Sequence, residues 1–325
     1  MPSTNEVFQK NIDDIALMLI QKFALRFKQE EEKLNCPLDR WLDFICRYIA
    51  PLPRKIALSN AFPKANLPPS AQRGLSSLLR KFTTGENVNP YQGRGLIIRN
   101  DTSGSKKHTR TDLLYADWNI LHFHLSDEII PSGQFFSKPA DYLAFCMIGR
   151  DVAAVVDVLP HPDRAGFANT DLFATLANSW PQYIAQYELN GILAGNTFSS
   201  SDISQLREAG VTTFVEHDGK VYMGPGGGIT SAGTSLRVGR SSDYLRDTAN
   251  MLANMVDDPH GQFQVHPVIK EISEPDFMLA LDCRGLCVRE NTSQTHFLIK
   301  RPVANQEPTR FEAMSNMLVP EWAVS

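Results

Sequence analysis

The residues with the clearest chemistry stand in Ile120-Leu-His-Phe-His-Leu125. Read as a strand, the alternation sends Leu121, Phe123 and Leu125 to one face and Ile120, His122 and His124 to the other. Two imidazoles on one sheet face can act as acid and base or ligate a metal. A third, His161, follows in Leu159-Pro-His-Pro. The plain alternative is a pair of half-buried sheet histidines bonded to backbone. Basic residues crowd the same region: Arg94, Arg99, Lys106, Lys107, His108 and Arg110 before the strand, Lys138, Arg150 and Arg164 after it. RNA can be cleaved without a metal if a base activates the 2′-hydroxyl, an acid protonates the leaving oxygen, and fixed cations stabilise the phosphorane. His122, His124 and His161 supply base and acid, and Arg110, Lys107 and Arg150 supply charge. Tyr91, Tyr115, Trp118 and Tyr142 can stack on unpaired bases or serve as core.

A second stretch points to another chemistry. Met223-Gly-Pro-Gly-Gly-Gly-Ile-Thr-Ser-Ala-Gly-Thr-Ser235 offers backbone donors and hydroxyls, with Gly226, Gly227, Gly228, Thr230 and Ser231 as a phosphate cradle. It lacks the lysine of a Walker A loop and the spacing of a dinucleotide fingerprint. The choice is between a wide turn and a nucleotide-dependent transferase using loop 224–235, with Tyr222, Arg237 and Arg240 as contacts. Cys283-x-x-x-Cys287 is half of a metal site, and no second Cys/His pair stands near it in sequence. No metal or other cofactor is expected.

The elements that must position these groups follow from hydrophobic period and punctuation. Phe8, Ile12, Ile15, Leu19, Phe23 and Phe27 recur at helical spacing and predict a helix over 5–33. Further helices are expected over 38–50, from Ser70 to Gly85, and near 170–178 and 180–188. Strands are expected at 96–98, 113–116, 120–125, 142–148 and 152–159, the last two joined by a turn at Gly149-Arg150-Asp151. The nearly unbroken apolar run from Val152 suits a central strand. Beyond 196 the pattern predicts a helix ending at Gly210, a hairpin at Asp218-Gly219, a strand over 231–240, a helix over 242–257, and strands near 276–283 and 295–300. The class is α+β. Its expected parts are a helical basic unit over 1–84, an α+β core over 85–195 with a central antiparallel sheet, and an acidic mixed α/β domain over 196–325.

Charge also divides the chain, at a place that is not one of these boundaries. The chain has 325 residues and a formal net charge of −4. Residues 1–110 hold 18 basic and 10 acidic side chains, a net +8, and the remainder holds 14 and 26, a net −12. A basic third on an acidic body suggests a polyanion partner, or two parts of one chain that attract each other. Five scattered cysteines do not make a disulfide framework, and the longest early apolar run, Ile15–Ile20, cannot span a bilayer. A cytoplasmic protein with no membrane partner is expected.

The order of motifs also resembles a known family. Gly85-Glu-x-x-x-Pro90, Trp118-Asn-Ile-x-His122-Phe-His124-Leu, Tyr142-Leu-x-Phe-Cys and Val155-Val-Asp-Val-Leu-Pro-His161 are similar to the YafO-type branch of the RelE-like mRNA interferase toxins, over residues 78–180. His122, His124 and His161 match its polar positions. The resemblance implies a RelE-like core and a toxin-type endoribonuclease of a toxin–antitoxin or phage-defence module. Its substrate would be mRNA, on or off the ribosome, and its partner a cognate antitoxin. The helical leader and the acidic C-terminal part have no counterpart in such compact toxins. A non-catalytic, partner-binding defence protein is the remaining alternative.

Overall fold

The structure, a computed structural model, describes residues 2–28, 32–62, 67–163, 165–193, 195, 198–303 and 306–324. In chain order its elements are α1 (Thr4–Lys22), α2 (Pro37–Arg47), β1 (Lys55–Leu58), α3 (Pro69–Thr84), α4 (Leu113–Trp118), β2 (Leu121–His124), β3 (Tyr142–Ile148) and β4 (Val152–Pro160). Then come α5 (Thr170–Ser179), α6 (Pro181–Ala185), α7 (Ser200–Ala209), β5 (Val215–His217), β6 (Lys220–Tyr222) and α8 (Leu236–Asp257). The last are β7 (Phe277–Asp282), β8 (Gly285–Glu290), β9 (Thr295–Leu298), α9 (Arg310–Leu318) and α10 (Glu321–Val324). Among the described residues, helices and three separate sheets make this an α+β protein. No helix among the described residues is long and apolar enough to cross a membrane.

The chain divides into two compact units rather than three consecutive domains. One gathers Met1–Phe27, Lys33–Leu42 and Val238–Ser325; the other holds Lys28–Glu32 and Asp43–Arg237. The first unit joins the two ends of the chain. α1 buries Phe8, Ile12, Ile15 and Leu19, and the Leu279 N–H of β7 donates to Asn11 Oδ1 at 3.0 Å. The Trp41 indole donates to the Leu318 carbonyl at 2.7 Å. Such pairings across most of the chain leave no trace in a local pattern, so boundaries at 84 and 195 do not match them. α1 stops at Lys22 because Phe23 caps it and Ala24 turns to φ 50°; part of its expected extension, 29–31, lies outside the described residues.

The second unit is built on a sheet of order β1-β4-β3-β2. β2–β3 and β3–β4 are antiparallel, while β1 lies parallel to β4, so the sheet is mixed. β4 is interior, as its apolar run demands. One face buries Leu121, Phe123, Ala144 and Val155 with Leu75, Leu78 and Phe82 of α3. The other buries Leu143, Phe145 and Val156 with Leu172, Phe173 and Leu176 of α5.

Three expected strands are not strands. Residues 113–116 lie in α4, because Asp112 Oδ1 accepts the N–H groups of Leu114 and Tyr115 at 3.1 Å and Asn119 closes the helix at φ 59°. Residues 94–96 form a 3₁₀ turn, and α8 begins at Leu236 inside the strand expected over 231–240.

Candidate active site

β2 sets the first two imidazoles. Its Leu121 and Phe123 are buried, Phe123 meeting Phe82 edge-on at 5.5 Å, so the alternation turns His122 and His124 to the opposite face. There His122 lies opposite Phe145 and His124 opposite Leu143 of β3. β4 ends beside the start of β3 and delivers His161, whose N–H donates to the Asp141 carbonyl at 2.6 Å. A third histidine, distant in sequence, thereby joins the strand pair. The His122 and His124 ring centroids lie 6.4 Å apart, and His124 stacks on His161 at 5.5 Å and 27°. Phe167 wedges in at 5.0 Å from His122 and 6.1 Å from His161.

All three line one cavity of about 630 Å³, whose wall also includes Arg47, Arg94, Arg99, His108, Asp112 and Arg207. That volume suits a nucleotide-sized group. Burial pushes the His122 pKa down, the Asp112 carboxylate opposing and His161 and Arg47 reinforcing the shift. Burial, with His122 and His161 adding to it, takes His124 to about 4. Both rings are therefore neutral near pH 7 and competent to accept a proton. The His161 Nδ1–H donates to the Pro162 carbonyl at 3.0 Å, which leaves Nε2 for another partner. Among the described residues the three imidazoles do not bring three ligand nitrogens within 4.8 Å of one another, so proton transfer fits them better than joint metal ligation.

Asp112 was hidden by the strand reading of 113–116. Its Oδ1 caps α4, while Oδ2 lies 3.6 Å from His122 Nδ1, a buried atom with no hydrogen-bond partner among the described residues. The signal for it was present, since Asp112 and Asn119 bracket the helix as N-cap and left-handed terminus. Gly93 covers the other side of this ring, where a Cβ would stand 3.0 Å from Nε2. Arg207 was also missed. It is 2 % exposed, donates to Asp117 Oδ2 at 2.8 Å and to the Phe167 carbonyl at 3.0 Å, and stacks 4.2 Å above Trp118. Its Nη2 is buried without an acceptor among the described residues. Nothing local in sequence marks an arginine whose partner is 90 positions away.

The cations expected to stabilise charge are elsewhere. Arg110 is buried and spends its guanidinium on the carbonyls of Gly104, Ser105 and Ala232. Lys107 is exposed and does not line the cavity. Arg150 sits in the β3–β4 turn, at the end of β3 opposite to Leu143 and the histidines. Arg164 lies outside the described residues. Arg94 and Arg99 line the cavity instead, both exposed and free of ion pairs among the described residues. Tyr115 and Trp118 are core residues, the Tyr115 hydroxyl donating to the Cys46 carbonyl at 2.6 Å.

The glycine-rich loop has a structural occupation. Gly226 N–H donates to the Asp117 carbonyl and Gly228 N–H to the Ala116 carbonyl, both at 2.9 Å, and Gly227 N–H turns inward to Gly224. These donors close the C-terminus of α4 rather than face a phosphate. Thr230 Oγ1 pairs with Thr234 Oγ1 at 2.8 Å, Ser231 is exposed, and Tyr222 is core. Arg237 donates to the Tyr115 hydroxyl at 2.8 Å and to the Pro225 carbonyl at 3.1 Å.

No family model, curated protein or solved structure matches the chain.

Proposed function

We propose that the chain is an RNA endonuclease whose catalytic centre is the three-histidine cavity. The convergence of His122, His124 and His161 beside Asp112 and two unpaired arginines carries this reading. His122, neutral through burial, takes the proton of a ribose 2′-hydroxyl, and the Asp112 carboxylate stabilises the imidazolium that forms. The 2′-oxygen then bonds to the adjacent phosphorus as the bond to the 5′-oxygen breaks. His161, entering the step with a proton on each ring nitrogen, gives its Nε2 proton to that leaving oxygen, and His124 holds the His161 ring by stacking. Arg94 and Arg99, exposed in the cavity wall, stabilise the phosphorane charge. The products are a 2′,3′-cyclic phosphate and a 5′-hydroxyl. Base and acid each contribute about 10²- to 10⁴-fold.

The resemblance to YafO-type toxins supports the same chemistry and makes mRNA, on or off the ribosome, the substrate. A cognate antitoxin is then the partner that restrains it. Induction in bacterial cells followed by mapping of RNA 5′ ends tests the reading. New 5′-hydroxyl ends and growth arrest are expected, both lost in the His122→Ala/His161→Ala double variant. Equal toxicity of the double variant would remove these residues from the mechanism.

A further inference from the structure

The unit formed by the chain ends carries its own cluster of ligating side chains, on the sheet β7-β8-β9. Ala280 pairs with Cys287, Asp282 with Gly285, Cys287 with Leu298 and Arg289 with His296. Directly paired residues share a face, so Asp282, Cys287 and His296 all lie on one side of the sheet. The other side buries Phe277, Leu279, Leu286 and Val288. On the half-exposed side His296 Nδ1 is 2.9 Å from Asp282 Oδ2 and 4.0 Å from the buried Cys287 Sγ. All three ligand atoms lie within 4.8 Å of one another.

We propose that Cys287, His296 and Asp282 form a zinc site, with the fourth position left to water. Zinc takes sulfur at about 2.3 Å and nitrogen or oxygen at about 2.0–2.2 Å, so tetrahedral neighbours stand roughly 3.4–3.6 Å apart. The observed 2.9 and 4.0 Å bracket that range, and the third pair lies within 4.8 Å. Thiolate, carboxylate and neutral imidazole also balance a divalent charge, and a thiolate ligand favours zinc over calcium or magnesium. Asp282 is held for the role, because its Oδ1 accepts the N–H groups of Arg284 at 2.7 Å and Gly285 at 3.2 Å. Gly285, opposite Asp282 at φ 135°, puts no side chain into the row beside the cluster.

Two cations oppose the ion. The exposed Arg284 guanidinium holds Asp282 Oδ2 at 2.9 Å and must swing into solvent, and Arg301 stands near Gly285 while donating to the Val319 carbonyl. Binding breaks the Cys287 S–H bond, forms the metal–sulfur bond and sends one proton to solvent. Affinity therefore rises with pH.

The test uses the purified full-length chain, stripped with a chelator and titrated with Co²⁺ as an optical probe and then with Zn²⁺. One equivalent of Co²⁺ is expected, with a thiolate-to-cobalt charge-transfer band that Zn²⁺ displaces. Cys287→Ser and His296→Gln should each abolish the band, and Cys283→Ser should keep it. His296 is a quarter exposed, so that variant probes ligation without emptying the core. Absence of the band in the natural chain overturns the site. So does a band that survives Cys287→Ser and vanishes in Cys283→Ser, because the metal then sits on the exposed thiol alone.

Discussion

One carboxylate of Asp112 serves two partners. Its Oδ1 satisfies two donors at the start of α4, and its Oδ2 is the anion nearest His122. Asp112→Asn separates the roles, because asparagine caps helices as well as aspartate but carries no charge. RNA cleavage is expected to fall about 10²-fold with stability within about 0.5 kcal/mol of the natural chain, read by cleavage rate and urea unfolding. Loss of stability without loss of rate would mean that the residue only caps. His124 supplies a second test at this scale. Its folded pKa of about 4 lies below the ordinary 6.5, so between those values the unfolded chain binds a proton that the folded chain refuses. Its stabilising contribution is complete above pH 6.5 and is lost as pH falls toward 4. The melting temperature should decline through that window, and His124→Asn should flatten the decline; parallel curves for the two proteins would contradict it. The histidines were legible because strand alternation fixes their common face. Asp112 was not, because a short helix was read as a strand.

α4 shows how an element is placed by its surroundings. At six residues it is too short to display a helical period, and its Leu-Leu-Tyr-Ala start reads equally well as strand. The glycine-rich loop settles the matter by donating to its last carbonyls. A Cβ on Gly226 would run into the carbonyl oxygens of Tyr115 and Ala116. Gly226→Ala should therefore cost about 1–3 kcal/mol in urea unfolding and slow cleavage, since α4 carries Asp112 at its head. Unchanged stability would show that α4 does not need this seat. β3 and β4 were legible from their apolar runs and the turn between them. β1 was not, because four residues just after Pro51 and Pro53 give too short a signal.

At the scale of the molecule, the charge split acquires a different meaning. Arg40, Arg47, Arg54 and Arg110 belong to the basic third, yet all are buried. Arg54 bonds the carbonyls of Gly149, Ala50 and Leu52, and Arg47 pairs with Asp43. Part of the +8 over residues 1–110 is therefore internal scaffolding, and the exposed arginines in the cavity wall are Arg94 and Arg99. The basic third is also shared between the two units, so composition and domain boundary do not coincide. The most direct measurement is the rate at which the purified full-length chain cleaves a labelled RNA in the presence of a metal chelator, beside His122→Ala. Cleavage leaving a 2′,3′-cyclic phosphate is expected, slowed about 10²-fold or more by the substitution. Equal rates in the two proteins, or no cleavage of RNA by the natural chain, would contradict the assignment of this cavity as a ribonuclease centre.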